Sequence, residues 1–228
     1  MTFSIVARMP ATGTAPMQFG VAIASSSPAV AARCAHARAA AGAVTTQNIT
    51  DPALGPHMLA SLAAGSAAAA AVASARQSTP FGDYRQLLAI GSAGPPAAHT
   101  GVHALGTHAV ALGTDAAAAG NLLAGPGVPA AMLAAFEAAG GSLAERLLRA
   151  LRAGLAAGGE AGPVHSAGLL VVHHVAWPIV DLRVDWDEND PVGALERLHA
   201  LYAPQIGAYV DRAINPTRAP SYGVPGDP

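Results

Sequence analysis

Lysine is absent from all 228 residues, so every basic side chain is an arginine. That excludes Schiff-base chemistry and a lysine general base, and it leaves the chain's α-amine as its only primary amine. The single cysteine, Cys34, excludes an intramolecular disulfide and a cysteine metal cluster; within alanine-rich residues 29–41 it reads as a small buried hydrophobe. Charge is scarce as well. Charged residues make up 11% of the chain and the formal net charge is −2, with no basic stripe, so nucleic acid is not an expected partner. Hydrophobic residues reach 52%, yet no apolar run attains the roughly 18–20 residues of a membrane span. No basic segment precedes an apolar one in the manner of a signal peptide. The expectation is a cytoplasmic protein without a membrane partner. So little charge also leaves apolar surface to cover, which points to a homo-oligomer.

What is present begins at the first residues. Thr2-Phe3-Ser4-Ile5-Val6-Ala7-Arg8 reads as a strand in which Thr2, Ser4 and Ala7 can share a face. Removal of Met1 would turn Thr2 into a nucleophile and an α-amine on one residue. A threonine hydroxyl is inert at its own pKa and needs an adjacent base, and an α-amine titrates near ~7.7–8.0. Pro10, Gly13 and Pro16 mark a turn before a second strand over residues 17–25, and residues 29–40 read as a loop or short helix. A third strand spans 42–50, and Asp51-Pro52 opens a helix that Gly65 divides from another over 66–76. Strands are expected at 84–91, 97–101 and 108–114, with residues 115–119 leading into Gly120-Asn121. Helices follow at 128–139 and 142–156, the second with a Ser142/Glu145 capping box. A strand pair at 167–175 and 179–184, then a helix from Pro191 capped by Asp190, complete one domain over 1–214. The proline-rich tail, 215–228, reads as extended or disordered. His99, His103 and His108 lack the spacing of a ligand set, so no metal is expected.

Three motifs in order, T-F-S-I-V-A-R, G-V-A-I-A-S at 20–25 and A-G-A-V-T-T-Q-N at 41–48, resemble those of an uncharacterised bacterial family described as Ntn-hydrolase-like, a domain of unknown function. The match continues through H-T-G at 99–101, G-N-L-L-A-G at 120–125 and D-L-R-V-D at 181–185, and so covers nearly the whole chain. The resemblance implies an α+β fold, a four-layer αββα sandwich with the reactive residue at the start of its first strand. In such a sandwich strand ends converge on the nucleophile, which makes Ser4, Ser25, Thr46, Gln47 and Asn48 candidates for substrate or oxyanion contacts. Asn121 would place a side-chain donor near Thr2. The family tends to carry an acidic residue, an arginine and a Gln-Ser pair where this chain has Glu160, no arginine, His165 and Ser166, a departure that bears on specificity.

Neither a phosphate loop, paired glycosidase carboxylates, a Gly-x-Ser-x-Gly elbow nor a nucleotide fingerprint occurs, and no cofactor is expected. The residues support an N-terminal-nucleophile hydrolase that cleaves a C–N, amide-type bond in a small molecule, with Thr2 and Asn121 in the catalytic roles. The alternative is a catalytically inactive small-ligand-binding or scaffold protein on the same fold.

Overall fold

A computed structural model describes residues 1–224. The chain opens with β1 (Thr2–Met9) and returns along β2 (Gln18–Ser25), the intervening turn closed by mutual backbone bonds between Thr12 and Ala15. Strict period two sets the faces of β1. Phe3, Ile5 and Ala7 enter one apolar cluster, whereas Val6 enters another, so Thr2 and Ser4 share the face of Val6 and Ala7 stands opposite them. Residues 29–40, expected as loop or helix, hold a single turn, α1 (Val30–Cys34), and a strand, β3 (Ala35–Arg38), which pairs with β4 (Gly42–Asn48). Short alanine-rich strands carry few β-formers, and here edge pairing overrides propensity.

α2 (Leu54–Ala63) starts two residues later than Asp51-Pro52 suggested, although the Asp51 carboxylate still accepts from the Ala53 amide. After α3 (Ala68–Gln77) come β5 (Arg85–Gly91), β6 (Ala97–Thr100), β7 (Ala109–Leu112) and β8 (Ala116–Asn121). The last was legible only as a lead-in, because four consecutive alanines carry no strand signature. α4 (Val128–Ala138) and α5 (Leu143–Ala156) precede β9 (Ser166–Val172) and β10 (Val180–Val184). α6 (Pro191–Tyr202) and α7 (Ile206–Ile214) are joined by a short 3₁₀ turn, and another 3₁₀ turn at Pro216–Arg218 follows them. The expected tail does not simply extend: Arg212 bonds the carbonyls of Pro220 and Ser221 and lies over the Tyr222 ring, folding those residues onto α7. Residues 225–228 of that tail lie outside the described residues.

Two antiparallel sheets result, ordered β10-β9-β2-β1-β8-β7 and β3-β4-β5-β6. Val6, Phe19, Val21, Leu88 and Ile90 fill the space between them. α4 and α5 cover the first sheet and α2 and α3 the second, giving helix, sheet, sheet, helix. α5 owes its helix to the realised Ser142/Glu145 capping box and to Leu143, Leu147 and Leu151 along one buried stripe. Each such leucine contributes about 1.5–3 kcal/mol by burial. That stripe approaches β2 closely at Gly20, where a β-carbon would stand 2.6 Å from Leu147 Cδ1 and 3.0 Å from the Leu170 carbonyl oxygen; Gly20→Ala would push the layers apart.

Candidate functional site

Period two and the sheet register bring four polar side chains into one row. Ser25 pairs with Ser166 across β2 and β9, and Thr2 pairs with Asn121 across β1 and β8. Thr2 lies one step beyond the Phe3–Ala24 pair, beside Ser25, and the hydroxyl oxygens of Thr2 and Ser25 are 3.4 Å apart. Thr2 is 5% exposed, and Ser25, Asn121 and Ser166 are fully buried. Both hydroxyls, of Thr2 and Ser25, donate to the carbonyl oxygen of Met1. The Ser25 contact crosses between strands, so the site holds a carbonyl oxygen by a group remote in sequence. Met1 also fills the space above: a β-carbon on Gly162 would stand 3.3 Å from the Met1 methyl carbon.

The second sheet supplies the floor. Ser4 donates to Gln47 Oε1 at 2.7 Å, and Gln47 Nε2 donates to Gln86 Oε1 at 2.7 Å. Gln86 Nε2 in turn reaches Thr100 Oγ1 and the Gly120 carbonyl, each at 3.1 Å. Gln86 Oε1 is thus the acceptor hub, and it receives Asn121 Nδ2 at 3.2 Å. This orients the Asn121 amide: with its nitrogen turned to Gln86, its oxygen is left buried without a partner. An unsatisfied buried acceptor costs about 1–3 kcal/mol. Asn121, expected as a donor, therefore presents an acceptor on the same face as Thr2.

Two of the expected site residues lie elsewhere. Thr46 shares the face of Val44, towards α2, and bonds Thr50 Oγ1 and the Asp51 carbonyl, each at 3.2 Å. Asn48, in a left-handed conformation at φ 73°, donates to the Tyr84 carbonyl and accepts from the Leu105 amide. Both anchor loops, because one residue's shift along a strand turns a side chain to the opposite face. Gln47 and Ser4 belong to the floor; their side chains bond Thr45, Gln86 and Ala119 and each other.

Glu160 completes the site, and neither it nor Gln86 was expected there. The signal for each was weak but present, an acid inside a glycine-rich segment and an amide inside an apolar strand. Residues 158–162 pass from β8 towards β2: Ala124 donates to the Gly159 carbonyl, Ala161 donates to the Leu122 carbonyl, and the Ser26 amide donates to both Glu160 carboxylate oxygens at 3.1 and 3.2 Å. Glu160 is 4% exposed. Burial pushes its carboxyl up to about 7, while the N-terminal ammonium, the Ser26 bonds and His165 pull against that rise. The His165 ring stacks on Trp186 at 4.3 Å, with its Nδ1 3.7 Å from Glu188. Among the described residues no three His, Cys, Asp or Glu side chains gather as metal ligands.

Two packed antiparallel sheets between helical layers, with a polar row at the start of the first strand, define the class. The chain belongs to the DUF1028 family, a family of unknown function, whose model matches residues 2–195. The crystal structure of a Silicibacter pomeroyi protein assigned to the same family is similar at 32% identity and a TM-score of 0.81, over 90% of this chain and 93% of that one. No curated protein matches the sequence.

Proposed function

We propose that this protein is an N-terminal-nucleophile hydrolase acting on an amide-type C–N bond of a small molecule once Met1 has been removed. The observation that carries the reading is the grip on the Met1 carbonyl oxygen by Thr2 and Ser25, since that peptide group is itself an amide and stands in for a substrate. In the reaction Thr2 Oγ1 bonds to the substrate carbonyl carbon and its proton passes to the Thr2 α-amine. The Ser25 hydroxyl donates to the developing oxyanion. The α-amine returns the proton to the departing nitrogen, whose N–H groups find an acceptor in Asn121 Oδ1, and the C–N bond breaks. Water then attacks the Thr2 ester, and the amine takes and returns a proton as Thr2 is regenerated.

Ligand binding or scaffolding without turnover is the competing reading, favoured by the fit of Met1 into the site against Gly162. Intact mass of native protein separates them: loss of Met1 is expected, and quantitative retention sinks the hydrolase. With Thr2 at the N-terminus, a screen of small amides, imides, ureas and acyl-amino acids, read by ammonia or amine release, finds the substrate. Thr2→Ala should then lower turnover at least about a thousandfold, and Thr2→Ser should keep measurable activity. Equal turnover by Thr2→Ala overturns the mechanism.

A further inference from the structure

We propose that Glu160 is the positioning residue for the α-amine of Thr2, the counter-charge that holds it beside the Thr2 hydroxyl; this rests on the reading above. The segment 158–162 is tied to Leu122 and Ala124 on the β8 side and through the Glu160 carboxylate to Ser26 on the β2 side. The start of β1 lies between those two strands, so the segment spans the N-terminus, with Gly162 against Met1. A buried carboxylate needs a compensating charge. Among the described residues Ser26 alone donates to it, through a backbone amide shared by its two oxygens and through its side chain, and neither brings a charge. The charged groups acting on it are the N-terminal ammonium and His165, and His165 is itself engaged by Glu188 and the Asp187 carbonyl. In the full chain that ammonium is Met1's; once Met1 is removed, the Thr2 α-amine, at the start of β1 between the two tied strands, is the cation left to serve Glu160. The pairing makes the amine more basic and fixes its lone pair near the nucleophile once the proton has left.

The absence of lysine makes this directly measurable, without any substrate. An amine-selective acylating reagent, followed by intact mass, reads one site per molecule. Labelling rates from pH 5.5 to 9 are compared for Thr2-started wild type, Glu160→Gln and Glu160→Asp. The expected result is about two- to threefold faster labelling of Glu160→Gln near pH 7.5, where the carboxyl is ionised and favours the charged form of the amine, with Glu160→Asp between the two. A folded Glu160→Gln with the wild-type profile overturns the proposal. Should that variant not fold, the wild-type protein carries the test alone: the ¹³C titration of the Glu160 carboxyl should move to higher pH after the amine is acylated, and an unmoved curve overturns the pairing. Thr2→Ala retains an α-amine, so it should show the same dependence on Glu160. If it does while also hydrolysing substrate at the wild-type rate, the nucleophile reading fails and the Glu160 pairing stands.

Discussion

The two ends of β1 bury polar groups in opposite ways. At the far end Arg8 is satisfied by every guanidinium nitrogen: Nε meets Asp115 at 2.7 Å, Nη1 the Gly91 and Gly94 carbonyls, and Nη2 the Thr114 carbonyl. At the near end Asn121 Oδ1 has no partner, Glu160 is held above its ordinary range, and two hydroxyls converge on the carbonyl of Met1. Both ends lie on the same strand and under comparable burial, so burial alone does not explain the contrast. A closed network stabilises a fold, whereas an open one holds capacity for something yet to arrive.

The largest effect on folding should come from breaking the closed end. Arg8→Met strips Asp115 and the three carbonyls of their partner. The expected loss is about 3 kcal/mol, the low end for a broken buried pair because Asp115 is 36% exposed. Urea denaturation measures it, and a loss under about 1 kcal/mol would mean that the Arg8 end is no more structural than the Thr2 end. Thr2→Ala, by contrast, should unfold at nearly the wild-type urea concentration while losing turnover.

How far each end could be read beforehand follows the same division. That β1 and β2 are strands was legible from β-formers such as Phe3, Ile5, Val21 and Ile23, but the faces of β1 were not fully so, since the sequence groups Ala7 with Thr2 and Ser4 and it stands opposite them. β3 and β8 were not legible, since Ala35 to Arg38 and Ala116 to Ala119 acquire strand character only by pairing with β4 and with β1. Ser25 and Asn121 could be named from motif and position. Thr46 and Asn48 were drawn in with Gln47 because a sequence motif does not say which alternate residues face the partner sheet. Gln86 and Glu160 come from distant parts of the chain, and only the register of β4, β5 and the 158–162 segment brings them to Thr2.

The next effect sharpens the contrast through pH. The carboxyl of Glu160 titrates at about 7 in the folded chain, above the ordinary value of 4.5. Below pH 4.5 folded and unfolded chains both hold the proton and nothing is lost. Between 4.5 and 7 the unfolded chain releases it while the folded chain keeps it, so this group subtracts stability as pH rises, fully above 7. The subtraction is about 3 kcal/mol at most. Asp187 and Asp190, whose carboxyls are held low by backbone amides, work in the opposite direction, so the measurement is the difference between wild type and Glu160→Gln. Glu160→Gln should gain on wild type from pH 4.5 to 7.5; a constant difference would place the carboxyl among ordinary surface acids.

The smallest effect is the most discriminating. Asn121→Leu keeps the branched four-atom skeleton of the side chain and removes an acceptor that has no partner, at the expense of one bond to Gln86 Oε1, which still receives Gln47 Nε2. At an end built for stability, deleting a buried polar group leaves something unpaired and costs free energy. Here it deletes the unpaired group itself, so the variant should be as stable as wild type or more stable by about 1 kcal/mol. Turnover should nevertheless fall, by about a hundredfold if Oδ1 receives the leaving nitrogen's N–H as that nitrogen departs. Stability gained while activity is lost is the trade expected where a site keeps an open valence for its ligand. A loss of more than about 1 kcal/mol on denaturation would show instead that Asn121 is satisfied in the folded protein, and the near end of β1 would then be closed in the same sense as the far one.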